Sequence, residues 1–219
     1  MQKQILPSLL LWWASIIAMQ AAAPEMRSYS IDLPHHVLRF SLPDEIANEM
    51  TPLQVEKRFD PNERGVAEKG FRQIAGHLHD FKGPFWAGAY GSLKFHFMIQ
   101  KRAADYQGDI TTADGLDRYV HWWIGNDTSK FVLSHATLNG AAATRREHNT
   151  FGDRDKAEPE DLEIFSLVLD QDFFLDVGFN VMEWEGGRDK EGKWKVKAEA
   201  LREAIKDTVL LEPQPNNRN

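Results

Sequence analysis

Two histidines in the segment His77-Leu78-His79-Asp80 are the residues best suited to hold a metal ion. On a strand, alternate side chains point to one face, so His77 and His79 could share an ion. On a helix the same side chains diverge by about 200° and could not share one. Apolar residues around this segment recur at helical spacing, which favours a helix, and a strand over the later half of the stretch is the alternative. These apolar residues are Ala67, Phe71, Ile74, Leu78 and Phe81. We therefore expect no metal and no other cofactor, and a metal-assisted hydrolase is the lesser alternative.

Other arrangements that could support catalysis are incomplete. Ser134 and His135 pair a nucleophile with a base, but neighbouring residues of a strand face opposite ways and cannot form a relay. Glu183 and Glu185 share a strand face and could mimic the carboxylate pair of a glycosidase, although acidic residues at a strand end are usually solvated. The pair Arg145-Arg146 could bind phosphate or carboxylate, but we expect it to be an ordinary exposed basic pair. The sequence therefore favours a binding protein over an enzyme.

Two features are candidates for contacts with a protein partner. The first is the segment 152–161, predicted to be a loop, in which acidic residues outnumber Arg154 and Lys156; they are Asp153, Asp155, Glu158, Glu160 and Asp161. Such a loop suits a basic rim around a partner's cleft, and an ordinary solvated loop is the alternative. The second is Trp122, which lies one position off the apolar stripe of a predicted helix and is expected to be exposed. Trp123 lies on that stripe and is expected in the core.

The elements that position these residues follow from the apolar periodicity. Strands are predicted where apolar and polar residues alternate, or where apolar, β-branched and aromatic residues form a run. These segments are 27–33, 36–42, 90–100, 131–138, 162–169 and 173–184. Helical spacing predicts helices over 116–124, after the capping box that begins at Thr111, and over 194–205. Strands and helices do not alternate strictly, which predicts an α+β fold of mostly antiparallel sheet with helices packed on one face. An aromatic strand followed by a tryptophan-bearing helix occurs twice, so two similar halves, 24–125 and 126–212, could be present.

The first 23 residues read as a secretory signal peptide. Lys3 supplies a positive start, an apolar run of about 15 residues follows, and Ala21-Ala22-Ala23 supplies small residues for cleavage. An uncleaved N-terminal anchor is the alternative. The remaining chain is predicted to be one α+β domain over 24–212, with a frayed polar tail from Glu212 that makes up 213–219. The absence of cysteine excludes a lipoprotein anchor and disulfides, which favours the bacterial periplasm.

The charge balance narrows the class of partner. The net charge is −7, and removal of residues 1–23, whose only charged side chain is Lys3, makes it −8. An acidic chain argues against nucleic acid or anionic lipid as the main partner and is compatible with a basic protein surface. We expect a periplasmic protein with no nucleic-acid partner and no stable membrane anchor.

In its layout the chain resembles the periplasmic immunity proteins that neutralise type VI secretion effectors. The features that carry the resemblance are the signal peptide, the opening strand Tyr29-Ser30-Ile31-Asp32-Leu33-Pro34 and the paired aromatic strand–helix units. The resemblance implies protein–protein inhibition of a cognate secreted toxin, such as a phospholipase or a wall hydrolase. A periplasmic protein that binds a small molecule or an envelope component is the alternative function.

Overall fold

A computed structural model describes residues 24–49, 55–83, 88–125, 131–151, 160–184 and 192–214. The predicted signal peptide lies outside these residues, as does most of the acidic segment 152–161. In chain order the elements are β1 (Met26–Leu33), β2 (His36–Pro43), α1 (Asp44–Ala47), α2 (Arg64–Lys69), β3 (Phe71–Lys82), β4 (Ala89–Lys101), α3 (Ala113–Ile124), β5 (Val132–Leu138), β6 (Ala141–Asn149), β7 (Glu160–Val168), β8 (Phe173–Glu183), α4 (Lys193–Lys206) and β9 (Leu210–Pro213).

These strands form two antiparallel sheets. The smaller sheet has the order β1-β2-β9, and the larger has the order β3-β4-β8-β7-β6-β5. The predicted α+β class with mostly antiparallel sheet is therefore confirmed, and the fold is mostly β. The proposed duplication into two halves stays a prediction. Within the described residues, no helix combines the length and apolar character that a membrane span requires.

One face of the larger sheet, called here the core face, carries alternate apolar side chains of its central strands. On β4 these are Leu93, Phe95, Phe97 and Ile99, and the β8 residues in register with them are Val181, Phe179, Val177 and Leu175. The smaller sheet and α4 pack on this face; Phe40 of β2 meets Phe97 edge-on at 4.7 Å between ring centroids. Helix α4 contributes its predicted stripe, which includes Trp194 and Ile205.

Helix α3 packs on the opposite face, called here the polar face. Leu116, Tyr119 and Val120 form a second, smaller cluster around Phe174, the β8 residue between the core-face residues Phe173 and Leu175. The prediction that the helices share one face is therefore wrong. An apolar stripe shows that a helix must be buried on one side, but it does not say which face of a sheet it covers. The β8 residues from Phe173 to Val181 are all buried, so either face could have received the helix.

The helix predicted from the spacing of Ala67 to Phe81 is also wrong over most of its length. A short helix ends at Gly70, whose φ of 73° is the left-handed conformation that glycine favours, and β3 then begins. A register shift between Gln73 and Ala75 lets the adjacent residues Ile74 and Ala75 both be buried. Ile74 and Phe81 are buried, but Phe71 and Leu78, which belong to the same apolar spacing, are exposed. The alternative of a strand over the later half of this segment is therefore confirmed.

The chain does not fray at Glu212, contrary to the prediction. Strand β9 pairs with β2, and Glu212 forms an ion pair of 2.9 Å with Arg39. The backbone N–H of Gln214 donates to the carbonyl oxygen of His35 at 2.8 Å. A segment of four residues that ends in Glu212 and Pro213 is too short to give a strand signal of its own, and the edge of the smaller sheet supplies the hydrogen-bond partners that order it.

Candidate binding surface

Helix α3 is fixed at its N-terminus and on its buried side. Thr112 caps it, because its hydroxyl accepts a hydrogen bond of 3.1 Å from the backbone N–H of Gly115. Tyr119 is buried against the edge of the Phe174 ring, at 5.5 Å between centroids. Burial raises the pKa of Tyr119, and its hydroxyl oxygen accepts from the backbone N–H of Ala103 at 3.0 Å. The predicted helix is confirmed, but its N-cap is Thr112 and not Thr111, with which the predicted capping box begins.

The last turn of α3 exposes two neighbouring tryptophans. Trp122 is 44% exposed and Trp123 is 43% exposed. The predicted exposure of Trp122 is confirmed, whereas the prediction that Trp123 lies in the core is wrong. One edge of the Trp123 ring packs on Phe174 at 6.0 Å, but nearly half of the residue remains in solvent. The apolar stripe predicts burial correctly from Leu116 to Val120. It continues to Trp123, where the sheet no longer covers the helix.

Both tryptophans are held by other aromatic rings. Trp122 lies 5.0 Å from Tyr106 and 5.8 Å from Tyr119, and Trp123 stacks on Tyr119 with an interplanar angle of 7°. We call Tyr106, Tyr119, Trp122 and Trp123 the tryptophan shelf. The shelf is apolar, partly exposed and supported from beneath, so its rings lose little freedom if a partner covers them.

A buried ion pair lies beside the shelf on the polar face. Arg146 Nη2 is 2.7 Å from Asp176 Oδ2, and Ser166 donates to the other oxygen of Asp176 at 2.6 Å. The Arg146 guanidinium lies 5.5 Å from the centroid of the Trp123 ring, a cation–π arrangement. Only 5% of Arg146 is exposed. The expected exposed basic pair is therefore wrong for Arg146, and Gln100 completes the network by donating to Asp176 Oδ2 at 3.3 Å.

His96 lies across the sheet from Arg146, in the same cross-strand row. The row runs from His96 through Gly178 and Ile164 to Arg146. Burial lowers the pKa of His96, and Lys94 and Arg146 lower it further, while Asp176 acts in the opposite direction. Sequence reasoning missed this group. A usable signal was the acidic residue Asp176 in the otherwise apolar β8, because a charge in a buried strand requires a partner.

The two histidines of the predicted pair lie on β3, and both side chains contact the same carboxylate. His79 Nδ1 is 2.9 Å and His77 Nε2 is 3.3 Å from the same oxygen, Oε2 of Glu49. Burial raises the pKa of Glu49, but the hydrogen bonds from His79 and His77 more than offset this, so that the pKa is lowered. Within the described ranges, no group of three or more His, Cys, Asp or Glu residues is arranged to hold a metal ion.

The acidic residues proposed for partner contacts are divided by the structure. Asp153, Asp155 and Glu158 lie outside the described residues. Glu160 and Asp161 belong to β7, so the loop prediction is wrong for them; the pairing of β7 with β8 begins two residues before the predicted strand at 162. Glu160 accepts a hydrogen bond of 2.7 Å from Asn180 Nδ2, and Asp161 is 2.7 Å from Arg202 Nη1.

Asp161 and Trp122 do not share a surface. Asp161 is in register with Val181, so it lies on the core face beside α4, whereas Trp122 is on α3 on the polar face. Glu183, the described member of the predicted carboxylate pair, ends β8; Glu185 lies outside the described residues. The sequence-predicted sites therefore do not converge, and the tryptophan shelf with its neighbouring ion pair is the most distinctive surface.

Comparisons with known proteins give no family for this chain. No family model matches it, and no curated protein matches it significantly. Among solved structures, it is similar to LpqN, described as involved in cell envelope biogenesis of Mycobacterium tuberculosis. The TM-score is 0.41 at 9% identity, and the match covers 86% of this chain and 92% of LpqN.

Proposed function

We propose that this chain is a periplasmic binding protein that neutralises a cognate secreted toxin by protein–protein contact, and that the tryptophan shelf is the centre of its interface. The observation that carries the proposal is the exposure of Trp122 and Trp123 side by side, at 44% and 43%, on rings that are fixed from beneath. The layout of the sequence supports the toxin as the partner, and residues 1–23 support the compartment.

Tryptophan is the residue type most suited to this role. Truncation of an interface tryptophan often costs about 2 kcal/mol or more, which is roughly thirtyfold in Kd. The shelf rings already pack against Tyr106, Tyr119 and Phe174, so little side-chain entropy is lost on binding. The net charge, −7 for the full chain and −8 without residues 1–23 and their Lys3, would speed encounter with a toxin whose cleft has a basic rim.

A protection assay tests the proposal. Each secreted effector encoded next to this gene is exported to the periplasm of a heterologous bacterium, with or without the full chain carrying its own residues 1–23. We expect one effector to stop growth and the chain to restore it. Purified Trp122→Ala and Trp123→Ala should each bind that effector at least tenfold more weakly than the wild type.

The matched control is Val196→Ala. Val196 is an exposed apolar residue on α4, 72% exposed, and α4 packs on the other face of the larger sheet. It should protect and bind like the wild type. Protection against none of the effectors would overturn the toxin-neutralising function, and wild-type affinity in both tryptophan variants would remove the shelf from the interface.

A further inference from the structure

The outer edge of β5 is unpaired in the described part of the chain. β5 is the last strand of the larger sheet and pairs with β6 alone. A row of unpaired backbone N–H and C=O groups can accept a further strand, so folded proteins usually protect such an edge with charged residues, proline, a bulge or a covering segment. The sequence of β5, Val-Leu-Ser-His-Ala-Thr-Leu, has no Lys, Arg, Asp, Glu or Pro, and its pairing with β6 has no register shift.

The remaining sheet edges of the described chain are protected. At the edge of the smaller sheet, the backbone of Asp32 on β1 is hydrogen-bonded to Lys57 and to Phe59, at 3.0 and 2.8 Å. At the other end of the larger sheet, β3 contains two register shifts and is bridged by Val55. β9 has only four residues and ends in Pro213. β5 is therefore the edge to which a further strand is added most easily.

The turn after β5 determines which backbone groups face outward. Asn139 and Gly140, with φ of 47° and 89°, form a two-residue turn, and Leu138 and Ala141 are in register beside it. In a hairpin of this type the residues that flank the turn exchange both hydrogen bonds, and every second residue along the strand does the same. The residues between them direct their backbone groups away from β6, and in β5 these are Leu133, His135 and Thr137.

We infer that β5 pairs in antiparallel orientation with β5 of a second copy of this chain. A partner that adds a strand here must itself present an unpaired edge, and an identical copy presents one. Each chain has a net charge of −7, but β5 has no Lys, Arg, Asp or Glu that would meet its own copy. The pairing has two-fold symmetry, as most homodimers do, and joins two six-stranded sheets into one. This inference goes beyond the proposed toxin-neutralising function and does not depend on it.

Overlap of the two strands along their whole length fixes the register. His135 is the central residue of β5, so it comes opposite His135 of the second copy, and Leu133 comes opposite Thr137. All outward backbone groups then exchange hydrogen bonds. Val132, which is 67% exposed, comes opposite Leu138 of the second copy and loses contact with water. The His135 side chain is 70% exposed, and its Nε2 lies 3.8 Å from Asp117 Oδ2 of α3.

A proline substitution tests the backbone pairing. Sedimentation velocity measures the monomer–dimer equilibrium of the protein purified after expression of the full chain, and we expect a reversible dimer at high micromolar concentration. His135→Pro removes an outward N–H that makes no bond to β6, so it should weaken the dimer by about tenfold or more. His135→Thr is the matched control: it also removes the imidazole but keeps the N–H, and it should dimerise like the wild type. At concentrations where all are monomers, the two variants should have similar Tm values.

An exchange of charges tests the two-fold axis at His135. His135→Lys and His135→Glu each place two like charges directly opposite each other, so each variant alone should dimerise about two- to fivefold more weakly than the wild type. An equimolar mixture of the two variants places opposite charges there instead. Native mass spectrometry should therefore detect more of the mixed dimer than random pairing gives.

Four results would overturn the inference. They are a wild type that stays monomeric at high micromolar concentration, a wild type that forms open-ended assemblies, equal dimerisation of His135→Pro and His135→Thr, and random pairing in the mixture of His135→Lys with His135→Glu. The toxin is absent from all these measurements. Failure of the dimer and failure of the protection assay are therefore separate outcomes.

Discussion

On the core face of the larger sheet, β4 and β8 present apolar side chains in their central rows, whereas on the polar face the same strands present His96 and Asp176. The core face is covered by the smaller sheet and α4, and its cluster is the larger of the two. The polar face holds the small α3 cluster and a buried ion pair. It also holds buried polar atoms without a hydrogen-bond partner in the described part of the chain, in Ser92, His96, Arg146 and Asn180. The comparison predicts that the core face contributes most of the stability of the fold, whereas the polar face retains buried polar groups that are costly to fold.

The largest predicted effect is a difference in stability between variants at two neighbouring residues of β4, which lie on opposite faces of the larger sheet. Phe97 is fully buried on the core face and contacts Phe40 and Phe179, while its neighbour Met98 is half-buried on the polar face. Phe97→Ala should lower the free energy of unfolding by about 3–5 kcal/mol. Met98→Ala should lower it by about 1–2 kcal/mol, because less apolar area is lost. Urea denaturation measures both, and equal losses would contradict the division of roles between the faces.

A second prediction concerns the buried ion pair. Arg146→Met leaves Asp176 buried without its countercharge, which should cost about 3 kcal/mol. The loss should be at the low end of the range for such changes, since Ser166 and Gln100 still donate to Asp176. The double variant Arg146→Met/Asp176→Asn, which buries no charge, should recover about 1 kcal/mol of the loss in the same denaturation experiment. If the double variant were less stable than Arg146→Met, burial of the unpaired Asp176 charge would not be the cause of the lost stability.

The smallest effect is a pH dependence that differs between the faces. Because burial lowers the pKa of His96 below its ordinary 6.5, the unfolded chain binds this proton first as the pH falls. The stability associated with His96 is therefore full above pH 6.5 and is lost as the pH falls from 6.5 toward the folded pKa. Denaturation midpoints between pH 7.5 and 5.5 should fall less steeply in His96→Phe than in the wild type.

Glu49, beside the core-face residues His77 and His79, acts in a lower window. Its folded pKa lies below 4.5, so its contribution is present above pH 4.5 and is lost as the pH falls through the folded value. Glu49→Gln should therefore change the pH dependence below 4.5. If the denaturation midpoint of His96→Phe varied with pH between 7.5 and 5.5 as steeply as that of the wild type, groups other than His96 would cause the pH dependence in this range.

Local patterns predicted most of the elements. The alternation in β4 and the helical spacing of α3 are properties of neighbouring residues, and the structure confirms both elements. The helix predicted over β3 was wrong because Phe71 and Leu78, two residues of its apolar spacing, lie exposed on a strand. Strand β9 was missed because it is ordered by pairing with β2, far away in the sequence. Trp122 was correctly expected at the surface. Arg146 was not expected in the interior, because its partner Asp176 is 30 positions away in the chain and beside it only after β6, β7 and β8 have paired.

The sequence by itself determined the class of fold, the amphipathic helices, the absence of disulfides and the acidic charge, because periodicity and composition act over a few residues or over the whole chain. The tertiary structure alone decided that α3 and α4 cover opposite faces, that Trp123 emerges beside Trp122, and that His96, Asp176 and Arg146 form one polar group. These facts depend on strand order and register. A register shift of one residue moves every side chain of a strand to the other face, and only the paired strands fix it.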